Sequence, residues 1–62
     1  MNNKLLSFRE KGNFTQKEVA KNIGITTSAY GMIELGSRNP SLNTAYKIAK
    51  FFKASIEEIF FT

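Results

Sequence analysis

The sequence contains no cysteine, histidine or tryptophan, and only one proline among its 62 residues. Without cysteine, neither a disulfide framework nor a thiolate metal site can add stability, so apolar side chains must supply the core alone. Without histidine, the commonest general base and metal ligand is missing. We therefore expect no enzyme, no metal site and no cofactor, and no residue pattern suggests a small-molecule ligand.

Long apolar runs are also missing. No segment approaches the roughly 20 apolar residues that span a bilayer, and the N-terminus becomes polar again at Ser7, which is not typical of a secretory signal. We therefore expect a cytoplasmic protein without a membrane-spanning segment.

The composition favours one small domain with an anionic partner. Hydrophobic residues make up 42% of the chain and include six phenylalanines, so a core is possible near the lower size limit for independent folding. We expect residues 1–62 to form a single domain. Nine lysines and arginines against five acidic residues give a net charge of +4. This excess favours nucleic acid, although many small basic proteins bind nothing acidic.

Capping residues, glycines and apolar positions at a 3.6-residue period divide the chain into short helices. The first is predicted from about Asn3 to Lys11, and Gly12-Asn13 is a good place for left-handed backbone. The second opens at Thr15, where Thr15-Gln16-Lys17-Glu18 is a capping box. Gly24 ends it.

Three further helices follow in the second half of the chain. Thr26 is predicted to cap the third and Gly36 to end it, Ser41 to cap the fourth, and Ser55 to open the fifth with a second capping box. The segment Phe61-Thr62 could fray or form a strand. The apolar positions predicted to face inward are Val19, Ala20, Ile23, Tyr30, Ile33, Leu42, Ala45, Ile48, Ala49, Phe52, Ile56, Ile59 and Phe60.

The second and third helices are separated only by Gly24-Ile25-Thr26, the spacing of a helix-turn-helix. Such a turn lets the first helix lie across a DNA backbone while the second enters the major groove. On spacing alone, an ordinary helical hairpin in a small bundle is the commoner explanation.

The order of motifs along the whole chain adds to this pattern. They are Arg9, Thr15-Gln16-Lys17-Glu18-Val19-Ala20, Gly24-Ile25-Thr26, Ile33-Glu34, Gly36, Arg38-Asn39-Pro40-Ser41-Leu42, Lys47-Ile48-Ala49 and Ser55-Ile56-Glu57-Glu58-Ile59-Phe60. From Leu5 to Phe60 the chain resembles the Cro/cI-type (Xre) helix-turn-helix family of phage and bacterial repressors. The resemblance implies an all-α, five-helix lambda-repressor-like fold that binds double-stranded DNA through its third helix.

The resemblance also implies roles for individual residues. Those expected to read bases are Thr27, Ser28, Gly31 and Met32, and those expected to contact phosphates are Gln16, Lys17, Thr26, Ser37, Arg38 and Asn39. Lys21 is a further possible phosphate contact. Between Thr26 and Ser37 the only charged residue is Glu34, and no Arg, Gln or Asn can make a bidentate base contact. DNA shape and apolar contacts, such as Met32 on a thymine methyl, are therefore expected to carry more of the discrimination.

Two further features follow from the resemblance. Arg9 and Glu34 are expected to form a largely buried structural ion pair between the first and third helices. Asn13 and Lys53 stand where the family often has glycine, and a left-handed conformation suits lysine less well than asparagine.

A homodimer is expected because one short helix reads too few base pairs for useful specificity. The residues predicted for the dimer interface are Ile56, Ile59, Phe60 and Phe61, of which Phe61 is the one expected to stay outside the monomer core. The predicted function is a transcription repressor on an inverted-repeat operator. The alternative is an antitoxin-like or other protein-interaction module with the same fold, because small polar side chains on the third helix give weak direct readout.

Overall fold

Five helices account for the regular structure of residues 3–61, the part of the chain that the computed structural model describes. They are α1 (Leu5–Lys11), α2 (Gln16–Ile23), α3 (Thr27–Leu35), α4 (Leu42–Phe51) and α5 (Ile56–Phe60). No strand occurs in these residues, so the predicted all-α architecture is confirmed. Thr62, part of the predicted frayed end, and residues 1 and 2 of the predicted domain lie outside the described residues. No helix of the described part has the length and apolar character that a membrane crossing requires.

Hydroxyl side chains fix where α2 to α5 begin. Thr15 accepts a hydrogen bond from the Glu18 amide at 3.0 Å, and the Glu18 carboxylate accepts one from the Thr15 amide at 2.8 Å. Ser55 and Glu58 form the same reciprocal pair at 3.0 and 2.9 Å. Each pair satisfies two backbone donors at a helix start, which confirms both predicted capping boxes. Single hydroxyl caps open α3 and α4, as predicted, at Thr26 and Ser41.

Helix α1 starts later than the sequence pattern predicts. It begins at Leu5, and Asn3 lies before it with a different role. The Asn3 side-chain oxygen accepts from the Leu5 amide at 3.0 Å, while its nitrogen donates to the Ile33 carbonyl at 2.9 Å. Asn3 therefore connects the start of α1 to α3 instead of adding a turn to α1.

Left-handed backbone occurs at the two predicted non-glycine positions. Asn13 has φ 58° and Lys53 has φ 56°. Gly12 does not share this conformation: its φ is −88°, so only the second residue of Gly12-Asn13 turns left-handed. The helix-ending glycines Gly24 and Gly36 have φ 90° and 87°. Lys53 has a side chain at a position that costs an L-residue roughly 1–2 kcal/mol.

The core receives residues from every helix. Its buried members are Leu5, Val19, Ala20, Ile23, Tyr30, Ile33, Ala45, Ile48, Ala49, Ile59 and Phe60. The inward prediction is wrong for Leu42, which is 78% exposed. Helix α4 ends at Phe51, and Phe52 lies just beyond it, half-buried.

Four phenylalanines join the α1–α2 turn to the end of α4. The Phe14 ring lies 5.0 Å from Phe51 and 6.3 Å from Phe52, and Phe8 lies 5.9 Å from Phe52, measured between ring centroids. These tilted and edge-to-face contacts are the geometries that aromatic pairs prefer. They attach the start of α2 to the body of the domain.

Candidate nucleic-acid interface

The α2–turn–α3 segment is built around Gly24. Its left-handed conformation ends α2, and the Gly24 and Ile25 amides both donate to the Ala20 carbonyl, at 2.9 and 3.1 Å. Thr26 then opens α3 by accepting from the Ala29 amide at 3.0 Å. The half-buried Ile25 packs against the core, and this contact holds the turn in place. Helix α3 then begins at the surface of the domain.

The residues that the resemblance assigns to base reading lie on one side of α3. Thr27 and Ser28 are exposed, Met32 is 42% exposed, and Gly31 is half-buried. Residues three and four apart share a helix face, so these positions form a stripe along the axis. Leu35 extends the stripe by one more turn and is 81% exposed. Leu35 is not among the residues predicted to read bases, although its spacing of three and four residues from Met32 and Gly31 indicates the same helix face.

Gln16 is the first residue of α2, and its side chain lies over the middle of α3. Its amide nitrogen donates to Glu34 Oε1 over a long 3.4 Å. A Cβ at Gly31 would stand 3.4 Å from Gln16 Oε1, in ordinary van der Waals contact, so the Gln16 side chain lies directly beside Gly31. The capping box uses the Thr15 and Glu18 amides, so the remaining N–H groups of the first turn and the helix dipole are what this end offers to an anion.

Arg9 and Glu34 form a two-pronged ion pair between α1 and α3. Arg9 Nε donates to Glu34 Oε2 and Arg9 Nη2 donates to Glu34 Oε1, both at 2.9 Å. The remaining guanidinium nitrogen, Nη1, donates a separate hydrogen bond to the Phe14 carbonyl at 3.0 Å. The side chains are only 17% and 7% exposed. The pair therefore fixes α3 against α1 and the α1–α2 turn.

The electrostatics of this pair favour the charged form of both groups. Burial acts to raise the pKa of Glu34, but the Arg9 guanidinium and the nearby Tyr30 hydroxyl outweigh it, so the pKa of Glu34 is lowered. The hydrogen bond to Glu34 raises the pKa of Arg9. Burial, and then the Glu34 carboxylate, raise the pKa of Tyr30. Because the charge of the Glu34 carboxylate is balanced by the Arg9 guanidinium, α3 presents no uncompensated charge to a ligand.

The loop after α3 presents polar groups at the other end of that helix. The Ser37 hydroxyl and the Ser37 and Arg38 amides all donate to the Met32 carbonyl, at 3.2, 3.0 and 3.2 Å. Arg38 and Asn39 are exposed, and the Arg38 guanidinium forms no hydrogen bond or ion pair within residues 3–61. Lys17 and Lys21, four residues apart on α2, are also exposed. These groups remain accessible to phosphates on either side of α3.

The structure corrects two of the residues predicted for a dimer interface. Ile59 is fully buried and Phe60 nearly so, because both fill the monomer core. Little of either side chain is therefore left for a partner while the domain stays folded. Ile56 is half-buried and Phe61 is exposed, and both line surface hollows together with exposed residues of α4 that sequence analysis missed. We call this surface the α4–α5 face, and it consists of Leu42, Tyr46, Ile56 and Phe61.

Comparison with known proteins places this geometry among DNA-binding regulators. A family described as Helix-turn-helix matches residues 5–59. An uncharacterized HTH-type transcriptional regulator of Archaeoglobus fulgidus is 47% identical over 60 residues, which cover 97% of this chain and 84% of that protein. A similar regulator of Methanocaldococcus jannaschii is also 47% identical over 60 residues, covering 97% of this chain and 91% of its own. The cryptic phage CTXphi transcriptional repressor RstR of Vibrio cholerae is 36% identical over 56 residues, covering 90% of this chain and 50% of the repressor.

Proposed function

The chain belongs to the Cro/cI-type (Xre) helix-turn-helix family of DNA-binding transcription regulators, which are not enzymes, and from this premise we propose that it is a homodimeric repressor of an inverted-repeat operator. The observation that carries the proposal is the exposed stripe on α3, which is uncharged and flanked at both ends by groups that can bind phosphate. A role on operator DNA places the protein in the cytoplasm.

In the proposed complex, α3 lies in the major groove with its exposed stripe on the base edges. The residues of that stripe that read bases are Thr27, Ser28, Gly31 and Met32. Phosphates on either side are bound by Gln16, Lys17 and Thr26 at the α2 end and turn, and by Ser37, Arg38 and Asn39 after α3. Phosphate contacts fix the position of the domain and make binding salt-dependent, while base contacts provide the sequence preference.

The second copy is proposed to dock on the α4–α5 face, where Leu42, Tyr46 and Phe61 are exposed. A two-fold dimer uses the same face on both copies, so apolar side chains meet apolar side chains across the axis. The two α3 helices then reach half-sites about one helical turn apart. Repression follows if the bound dimer blocks a promoter, and the similarity to the repressor RstR supports this direction of control.

Selection of duplexes from a random DNA pool at near-physiological salt tests DNA recognition. We expect an enriched palindrome with half-sites about one turn apart. The combined variant Thr27→Ala, Ser28→Ala, Met32→Ala should lose the enrichment while keeping its helical circular dichroism. The control changes Ser7→Ala, an exposed hydroxyl site on α1, and should select the same palindrome. Binding without any enriched motif would refute sequence-specific regulation, and no binding even at low salt would favour the protein-interaction module.

Sedimentation of the free and DNA-bound protein tests the dimer. The unchanged protein should sediment as a dimer on its operator, and Leu42→Ser together with Phe61→Ser should produce a monomer that binds one half-site more weakly. For the free protein, Leu35→Ser is the control for dimerisation, because Leu35 is as exposed as Leu42, at 81% against 78%, but lies on α3. A protein that stays monomeric at high micromolar concentration, with and without DNA, would refute the dimer.

A further inference from the structure

Large apolar side chains are exposed at the C-terminal half of α3, on the side proposed to face DNA. Met32 and Leu35 lie three residues apart on this side, so their side chains are neighbours. Leu6 of α1, which is also exposed, lines one shallow hollow with Leu35, Gly31, Gln16 and Glu34. Single exposed apolar residues are ordinary, but a contiguous apolar surface indicates a binding surface. We call Met32 and Leu35 the methyl-binding pair.

Resting on the proposed function, we infer that Met32 and Leu35 bind the C5 methyl groups of thymines in each half-site. Thymine is the base that presents a methyl group in the major groove, and apolar side chains are the groups that read it. Helix α3 carries no Arg, Lys, Asn or Gln side chain for a bidentate contact. Leu35, which the family resemblance did not assign to base reading, becomes a specificity-determining residue.

The charge distribution around the pair supports a base edge as its ligand. Glu34, the only charged residue of α3, is turned to Arg9 and almost buried, so it does not repel DNA from this part of the helix. Arg38, on the loop that follows, is exposed and available for a phosphate. The methyl-binding pair thus lies between a phosphate-binding end and the hydroxyls of Thr27 and Ser28, continuous with the base-reading side.

The same continuity argues against a protein partner on this surface. If α3 enters the groove, Met32 and Leu35 are covered by DNA, and a protein on them would compete with the operator. The α4–α5 face offers a separate apolar surface for a second copy, and its residues line different hollows from those beside Leu35. DNA is therefore the ligand to which we assign the pair.

Uracil substitution tests the assignment directly, because uracil lacks only the methyl group and keeps the hydrogen-bonding groups of thymine. Each thymine of the selected operator is replaced in turn, and the Kd is measured by fluorescence anisotropy. Loss of one buried methyl group should weaken binding about fourfold, the fold-change that corresponds to burying one such group. We expect this penalty at the thymines under the C-terminal half of α3 and none at thymines outside the half-sites.

Protein variants then identify which side chain reads which methyl group. Leu35→Ala should abolish the uracil penalty at one position of each half-site, Met32→Ala should abolish it at another, and Leu35→Met should keep it. The matched control Leu42→Ala removes an equally exposed leucine from α4. It can weaken overall binding through the dimer, but it should leave every uracil penalty unchanged. Circular dichroism and urea midpoints verify that each variant is folded.

The outcomes separate the inference from the function on which it rests. Specific binding without a uracil penalty anywhere in the half-sites overturns the inference and leaves the repressor proposal standing. Penalties that persist in Leu35→Ala overturn the assignment of Leu35. A sedimenting mass that falls in Leu35→Ala without DNA shows that a second copy occupies this surface, which also overturns the inference. Absence of any DNA binding overturns both proposals together.

Discussion

Gly31 occupies the middle of α3, where glycine is a poor helix former. Replacing it with alanine should improve helix stability by roughly 0.8–1.0 kcal/mol. The added Cβ would lie 3.4 Å from Gln16 Oε1 and 3.7 Å from Gln16 Nε2, which is ordinary van der Waals contact with the end of a flexible side chain, so no neighbour has to move. We therefore expect Gly31→Ala to raise the free energy of unfolding by about 0.5–1 kcal/mol, which corresponds to a Tm increase of roughly 4 °C for a domain of this size.

The same change should weaken DNA binding, because in the proposed complex the methyl group adds bulk between α3 and the groove. Overpacking by one methyl group costs typically 1–3 kcal/mol, so an affinity loss of roughly tenfold is expected. Urea unfolding followed by circular dichroism and anisotropy titration with the selected operator measure both effects on one preparation. A variant that is more stable and less tightly bound would show that Gly31 serves close approach to DNA.

Gly12→Ala is the control that checks the steric argument. Gly12 has right-handed backbone, but a Cβ there would lie 2.5 Å and 2.7 Å from ring atoms of Phe14. That ring is packed against Phe51 and Phe52 and cannot move freely, so this variant should be destabilised by about 1–3 kcal/mol. If Gly31→Ala also lowers the urea midpoint, the reasoning from available space is refuted. If it binds DNA unchanged, the close-approach explanation is refuted.

Three further predictions concern the ionic groups and one strained residue. Arg9→Met should lower the free energy of unfolding by about 3 kcal/mol, because it leaves the Glu34 carboxylate buried without its partner. The double variant with Glu34→Leu should recover most of this loss. Equal urea midpoints in the single and double variants would contradict the prediction. Lys53→Gly should gain about 1 kcal/mol, because φ 56° suits glycine, and an unchanged urea midpoint would show that Lys53 is unstrained. The pKa values of Glu34 and Glu58 are lower in the folded protein than their ordinary value of 4.5. The stabilisation from both carboxylates is therefore complete above about pH 4.5 and is lost as the pH falls through their pKa values in the folded protein. Urea unfolding in buffers of decreasing pH measures this loss. A free energy of unfolding that rose on acidification would contradict the prediction.

Helix boundaries could be predicted from the sequence where a side chain defines them locally. The hydroxyl caps at the starts of α2 to α5 lie within three residues of the amides they satisfy, so the pattern contains the whole interaction. The start of α1 could not be predicted in this way. Lys4 caps it without a side-chain hydrogen bond, and Asn3 is committed to the Ile33 carbonyl, 30 residues away. Only the folded chain brings those two groups together.

Apolar periodicity predicts which residues share a helix face, but it does not predict what covers that face. For this reason periodicity predicts an inward position for Leu42, which is exposed, and it does not distinguish an interface from the core for Ile59 and Phe60, which fill the core. The family resemblance supplied the candidate site by position, and the exposure of Thr27 and Ser28 is consistent with it.

The side-chain contacts that hold the site depend on tertiary structure. They include the Gln16–Glu34 contact and the hydrogen bond from Arg9 to the Phe14 carbonyl, and no local pattern encodes either of them.

The hydrogen bond from the Lys4 amide to the Ile59 carbonyl, at 2.9 Å, joins positions near opposite ends of the described chain. This bond closes the polypeptide into a loop. Asn3, the residue before Lys4, adds the hydrogen bond from its side chain to the Ile33 carbonyl of α3. Closing so long a loop is entropically unfavourable, so the closure is expected to form late in folding and to open together with α5. A molecule that binds α5 and holds it in place would also stabilise the position of α3 through Lys4 and Asn3. Helix α3 is the one proposed to enter the major groove.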